Sequence, residues 1–206
     1  MSIHDIFRVP VYSTQLNLDI KKLQSFCNEY QQKDTGKTLS NVGGYHSNDL
    51  PLNKLKWPLG EFLYPLIEEI NAHSSKFAKE FINNNEQVLS NMWFNISLYK
   101  DTNKSHNHPG SDISGVYYVK IPDECGNIEF EHPATDVLDY YSRLGQFGTK
   151  SPPIESNEYN SITWWKPVAE NGLYLFPGWL RHHVEPNQNK NEERISISFN
   201  TIQKGE

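Results

Sequence analysis

Two histidines one residue apart, His106 and His108, are followed far downstream by His182 in Leu175-Phe-Pro-Gly-Trp-Leu-Arg-His-His-Val184. Arg194 then heads the alternating run Arg194-Ile-Ser-Ile-Ser-Phe-Asn200. Imidazole is a common ligand for iron, copper, nickel and zinc. A guanidinium is a planar fork that grips a carboxylate through two hydrogen bonds. On a strand, positions i and i+2 share a face, so the His106/His108 spacing at a strand start would aim both rings one way. One histidine in a Lys-, Asn- and Ser-rich stretch is ordinarily solvated surface; a pair backed by a third histidine and an arginine points to a metal with a carboxylate-bearing cosubstrate.

These residues need strands to position them, and the second half of the chain supplies the pattern. Val88 to Leu98 alternates, with Met92, Phe94, Ile96 and Leu98 against Trp93, Asn95, Ser97 and Tyr99. Ser114–Ile121, Asn127–Phe130, Ser161–Lys166, Gly172–Phe176 and Arg194–Thr201 behave likewise. Short strands separated by Gly, Pro and Asn turns predict an antiparallel barrel or sandwich. The first half reads differently. Ile6–Tyr12 predicts a short edge strand containing Pro10. Leu18–Gln32 and Leu59–Asn83 carry apolar residues at helical spacing, with Asp19 suited to a first turn and Pro65 expected to kink the second helix or delay its start. Thr38 to Ser47, which contains Gly43-Gly-Tyr-His-Ser47, predicts a flexible loop. Asp136–Glu158, with Gly145, Gly148 and Pro152-Pro153, predicts a long insertion of the kind that forms lids.

The chain of 206 residues suits one domain spanning 1–206, with a strand and helical lead-in over 1–87 and a core over 88–202. With 36% hydrophobic and 13% aromatic residues, large rings must do much of the packing. The formal charge of −6 comes without a basic run, which disfavours duplex nucleic acid as a main partner. Cys27 and Cys125 lie far apart with no zinc spacing, so a disulfide framework is not expected and a reducing cytoplasm fits. The opening Met-Ser-Ile-His-Asp-Ile-Phe-Arg8 lacks the pattern of a secretory signal, and no apolar stretch has the length of a membrane span. Whether the N-terminal helices serve packing or a homodimer contact is open at this level.

The stretches His106-Asn-His-Pro-Gly-Ser-Asp-Ile-Ser-Gly-Val-Tyr-Tyr-Val119, Leu175–Pro186 and Arg194–Asn200 together resemble the 2-oxoglutarate- and iron(II)-dependent oxygenases often found in marine bacteria and cyanophages. Gly43–Ser47 and Asn91–Ser97 resemble the same family, so the similarity covers essentially the whole chain. The resemblance implies a mainly β protein with flanking helices: a double-stranded β-helix, or jelly roll, holding Fe(II), with 2-oxoglutarate as cosubstrate. It implies a dioxygenase that hydroxylates a small molecule or peptide and releases succinate and CO2. By position, it makes His106 and His182 metal ligands and Arg194 the clamp on the cosubstrate's distal carboxylate, with Ser196 on the same face. His183 would point the other way. Tyr99 and Tyr118 match positions where related oxygenases place hydroxyls on the cosubstrate. Trp93, Phe94, Trp164, Trp165 and Trp179 would wall the pocket.

One departure stands out. The usual triad has two histidines and a carboxylate, and the i+2 position here is His108. The third ligand is then His108, water, or Asp112 swinging in from the loop; the spacing favours His108. A metal-binding cupin is the nearest rival, although cupins place a glutamate a few residues after the histidine pair and give Arg194 no task. A non-enzymatic jelly-roll binding or virion-associated module is the alternative from another class.

Overall fold

A computed structural model describes residues 8–52, 59–82, 86–136 and 161–205. It contains β1 (Tyr12–Gln15), α1 (Ile20–Gln31), β2 (Asn41–Val42), β3 (Tyr45–His46), α2 (Leu59–Phe81), β4 (Gln87–Ser97) and β5 (Thr102–His106). There follow β6 (Ile113–Lys120), β7 (Ile128–Glu131), β8 (Thr163–Lys166), β9 (Gly172–Pro177), β10 (His182–Val184) and β11 (Arg194–Gln203). The strands form two antiparallel sheets, in the orders β1-β9-β6-β11-β4-β3 and β2-β5-β10-β7-β8. Among the described residues, no helix is long and apolar enough to cross a membrane.

The larger sheet is buried on both faces, and strand alternation assigns each residue to one of them. On β4 and β11, Met92, Phe94, Ile96, Ile195, Ile197 and Phe199 face the helices. They join Leu23, Phe26, Leu63, Leu66, Ile70 and Phe77 in one core. The apolar stripes of α1 and α2 are thus used in packing against the sheet. Asp19 caps α1, its side chain accepting from the Lys22 N–H. Phe94 is fully buried here, and truncating such a side chain to alanine costs about 3–5 kcal/mol. The opposite face of the same sheet carries Val116, Tyr118, Tyr174 and Phe176, which pack between the sheets with Ile128, Phe130 and Leu180.

Several predicted boundaries shift. Residues 8–11 are not in a strand, and β1 begins at Tyr12, past Pro10, whose missing N–H would leave a gap in a ladder. The helix α2 begins at Leu59 and continues through Pro65. The loop predicted over 38–47 contains the two-residue strands β2 and β3, joined by Gly43 and Gly44 at φ of 71° and 62°. Beyond Asp136, the predicted insertion to Glu158 lies outside the described residues.

Candidate active site

Strand pairing brings the sequence-distant histidines together. His182, the first residue of β10, lies opposite His106, the last residue of β5. His108 is past the end of β5 rather than on a strand, so the expected shared strand face is not what aims it. Its loop is tied instead to the turn after β9: the His108 N–H donates to the Gly178 carbonyl at 2.8 Å, and the Gly178 N–H donates to the Asp112 carbonyl at 3.0 Å. A side chain at Gly178 would put its Cβ 2.2 Å from the Ser111 carbonyl oxygen, so glycine permits this approach. The ring centroids are 4.4 Å apart for His106 and His182, 5.0 Å for His106 and His108, and 5.2 Å for His108 and His182.

One nitrogen from each ring falls within 4.8 Å of the others, close enough for a single ion after small ring rotations. His106 and His182 are oriented by backbone: Nδ1 of each lies 2.7 Å and 2.9 Å from the carbonyls of Lys104 and Leu180. A carbonyl only accepts, so each Nδ1 carries the proton and each Nε2 presents its lone pair, the state a metal requires. Burial keeps all three rings neutral. It lowers the pKa of His106, with Arg181 adding to the effect. Burial, then the neighbouring His106, lowers His108 to about 4 and His182 to about 3. Three neutral imidazoles, two of them of fixed tautomer, fit a divalent transition metal.

Arg194 lies at the other end of the same cavity, only 2% exposed. Its Nη1 donates to the backbone carbonyls of Cys125 and Glu185. The cavity lies between the two sheets and contains about 500 Å³ of atom-free space, its mouth included. Ser196 and Tyr118 also line it. Burial raises the Tyr118 phenol, and the adjacent Arg194 charge works in the opposite direction. A cavity with a metal-competent cluster at one end and a buried cation at the other suits a small dianion that also chelates the metal.

Tyr99 is not brought to this cavity. The alternation of β4 that would carry it there ends at Ser97, where Lys100 at φ 69° and the Asp101 carboxylate close a turn. Tyr99 is 39% exposed, its ring beneath Lys100 and Lys190. Asp112 is also held away, accepting from Gln87 Nε2 at 3.1 Å. His183 points outward to Glu129, as expected. Of the five proposed wall aromatics, Trp93 lines the cavity; Phe94 faces the helices, Trp165 and Trp179 are about half exposed, and Trp164 is not a lining residue. Asn95 and Ser198 were not singled out as site residues, yet both line the cavity, and the Asn95 Oδ1 is buried without a partner. The signal was present, because Trp93, Asn95 and Ser97 alternate on one face of β4, opposite Ser198, Ser196 and Arg194 in the sheet register.

Residues 91–200, more than half of the chain and the part that carries all three histidines and Arg194, match the 2OG-Fe(II) oxygenase family. The chain belongs to that family. Solved structures of this oxygenase's fold include a Pseudomonas putida prolyl-4-hydroxylase, at TM-score 0.64 and 10% identity over 96% of this chain and 94% of that one. Another is HygX from Streptomyces hygroscopicus with nickel and 2-oxoglutarate bound, at TM-score 0.59 and 9% identity, covering 96% and 84%. A third is the viral collagen prolyl hydroxylase of Paramecium bursaria Chlorella virus-1 in complex with 2-oxoglutarate, at TM-score 0.54 and 11% identity, covering 93% and 94%. At these identities the likeness is one of fold, the double-stranded β-helix. No curated protein matches the sequence. The 2OG-Fe(II) oxygenase is thus an oxidoreductase that uses iron and 2-oxoglutarate.

Proposed function

We propose that His106, His108 and His182 hold the Fe(II) and that Arg194 grips the far carboxylate of 2-oxoglutarate, the chain acting as a single domain that hydroxylates its substrate. The observation that carries this reading is that one cavity has the three imidazoles at one end and the buried guanidinium at the other. Iron held there would supply a centre for dioxygen chemistry, in which O2 oxidises 2-oxoglutarate to succinate and CO2, one oxygen atom going into succinate and the other into an unactivated C–H bond of the substrate.

The protein's own part is positional. The Lys104 and Leu180 carbonyls hold two imidazole tautomers ready to ligate. Cys125 and Glu185 fix the guanidinium before the cosubstrate arrives, so little side-chain freedom is lost on binding. Ser196 and the Tyr118 hydroxyl would hydrogen-bond to the same anion, and the buried walls exclude water. His108 in the usual carboxylate position gives the metal site one more positive charge than two histidines and a carboxylate would, which favours the anionic cosubstrate.

The test is a pair of titrations. Arg194→Ala should weaken 2-oxoglutarate binding at least tenfold, about 1.4 kcal/mol, while metal uptake stays intact. Unchanged cosubstrate affinity would remove Arg194 from this role.

A further inference from the structure

Beside the three histidines lies a second, wider space that is open to solvent. This open groove borders His106 and His108 and contains about 1020 Å³ of atom-free space, roughly twice that of the enclosed cavity at about 500 Å³. Its floor continues the face of β4 and β11 that lines the cavity: Ser97↔Arg194, Asn95↔Ser196 and Trp93↔Ser198 give way to Asn91↔Asn200. Ser114 Oγ donates to Asn200 Oδ1 at 2.7 Å, and Asn200 Nδ2 donates to Asn91 Oδ1 at 2.9 Å. That chain fixes the Asn91 amide with Nδ2 left over as a donor.

His46, buried and stacked on Trp93 at 5.7 Å with ring planes 5° apart, has Nδ1 2.8 Å from the Ser47 carbonyl. Its proton is therefore on Nδ1, and Nε2 is an acceptor. A spare donor and a spare acceptor on one floor are what a peptide group requires. At the rim, Lys37 is paired with Asp49 at 2.9 Å, whereas exposed Lys104 has no acidic partner among the described residues. Trp93 is buried, with His46 stacked on it and His108 tilted against it at 5.7 Å, so little of its indole is open in the groove for a nucleobase to stack on.

We propose that this groove binds an acidic peptide segment, Asn91 Nδ2 donating to a backbone carbonyl, His46 Nε2 accepting from a backbone N–H, and Lys104 meeting a carboxylate side chain. The inference rests on the proposed function for its placement beside the iron, and it names the substrate class of that site. The probes are pools of blocked hexapeptides (acidic, neutral and basic) and a mononucleotide mixture, added to the zinc-loaded full chain with 2-oxoglutarate. Binding is read from the His46 ring and Asn91 side-chain nitrogen resonances, and succinate release is read in parallel on the iron-loaded protein.

The acidic pool should shift both resonances and raise succinate release, and Asn91→Leu should weaken its binding about fivefold with 2-oxoglutarate affinity unchanged. Lys104→Glu, an exposed change that leaves the fold intact, should transfer the preference to the basic pool. The proposal is overturned if no peptide pool shifts these resonances, if the mononucleotides shift them instead, or if Lys104→Glu leaves the preference as it was. Failure of the underlying reading would register separately, as weak metal or 2-oxoglutarate binding by the wild type without any peptide.

Discussion

The enclosed cavity and the open groove share Trp93 as a wall but are built from different material. The cavity is made mainly by mutually paired strands, the long β4, β6 and β11 on one side and the shorter β5 and β10 on the other, with Ser40 alone from the 37–49 segment. Its charged group, Arg194, is anchored to two carbonyls, and two of its imidazoles to two more. The groove adds to residues of β4, β5 and β11 a flank from the 37–49 segment, which contributes two-residue strands, a glycine turn and the Lys37–Asp49 pair. On the proposed assignments, the part that serves one fixed cosubstrate can be rigid throughout, while the part that selects the substrate can vary on short elements without disturbing the sheets.

That contrast can be broken most severely at the metal end. His182→Ala removes a buried residue proposed as a ligand, and metal affinity should fall by about 100-fold or more, beyond the usual cost of losing an outer-shell partner. Calorimetric metal titration reads this, and an affinity within tenfold of wild type would exclude His182 as a ligand. Arg194→Ala follows, with its tenfold or greater loss of 2-oxoglutarate affinity. Arg194→Lys should recover only part of it, because an ammonium keeps the charge but lacks the fork.

Acid should separate the two regions next. In the metal-free protein, His108 near 4 and His182 near 3 are held below their ordinary 6.5. The unfolded chain therefore binds more protons between pH 6.5 and about 3, and the folded state loses stability as pH falls through that window. Melting temperature against pH should be flatter for His182→Gln than for wild type; identical slopes would contradict the burial argument.

On the groove side, a Cβ at Gly43 would lie 2.0 Å from Asp101 Oδ1 at a backbone φ of 71°. Gly43→Ala should cost about 1 kcal/mol locally and speed amide exchange over residues 40–47 about fivefold, with 2-oxoglutarate affinity unchanged. The smallest effect distinguishes two tyrosines. Tyr118→Phe should weaken the cosubstrate about threefold, within the range of one neutral hydrogen bond, while Tyr99→Phe should change nothing measurable in the same titration.

What was legible in the sequence follows the same division. The alternation of β4, β6, β9 and β11 predicted strands of an antiparallel barrel or sandwich, the resemblance narrowed this to a jelly roll, and the motifs singled out the three histidines and Arg194 that the fold brings to one cavity. Tyr99 was misplaced because alternation says nothing about where a strand stops, and the turn at Lys100 is a matter of backbone conformation. Phe94 was assigned to the pocket although its parity with Met92 and Ile96 puts it on the helix side. His46 lay within a segment read as a flexible loop and as part of the family resemblance, and its own placement was not legible because two-residue strands have no period to read. Asn91 and Asn200 gain their meaning only from register, which pairs residues more than a hundred positions apart.

Trp93 has a further use. Its indole borders both chambers, with an imidazole from each touching it: His46 from the groove side and His108 from the metal side. Light emission from that ring will therefore register occupancy of either compartment, and in a variant stripped of the other four tryptophans it becomes a label-free gauge of the order in which the two are filled.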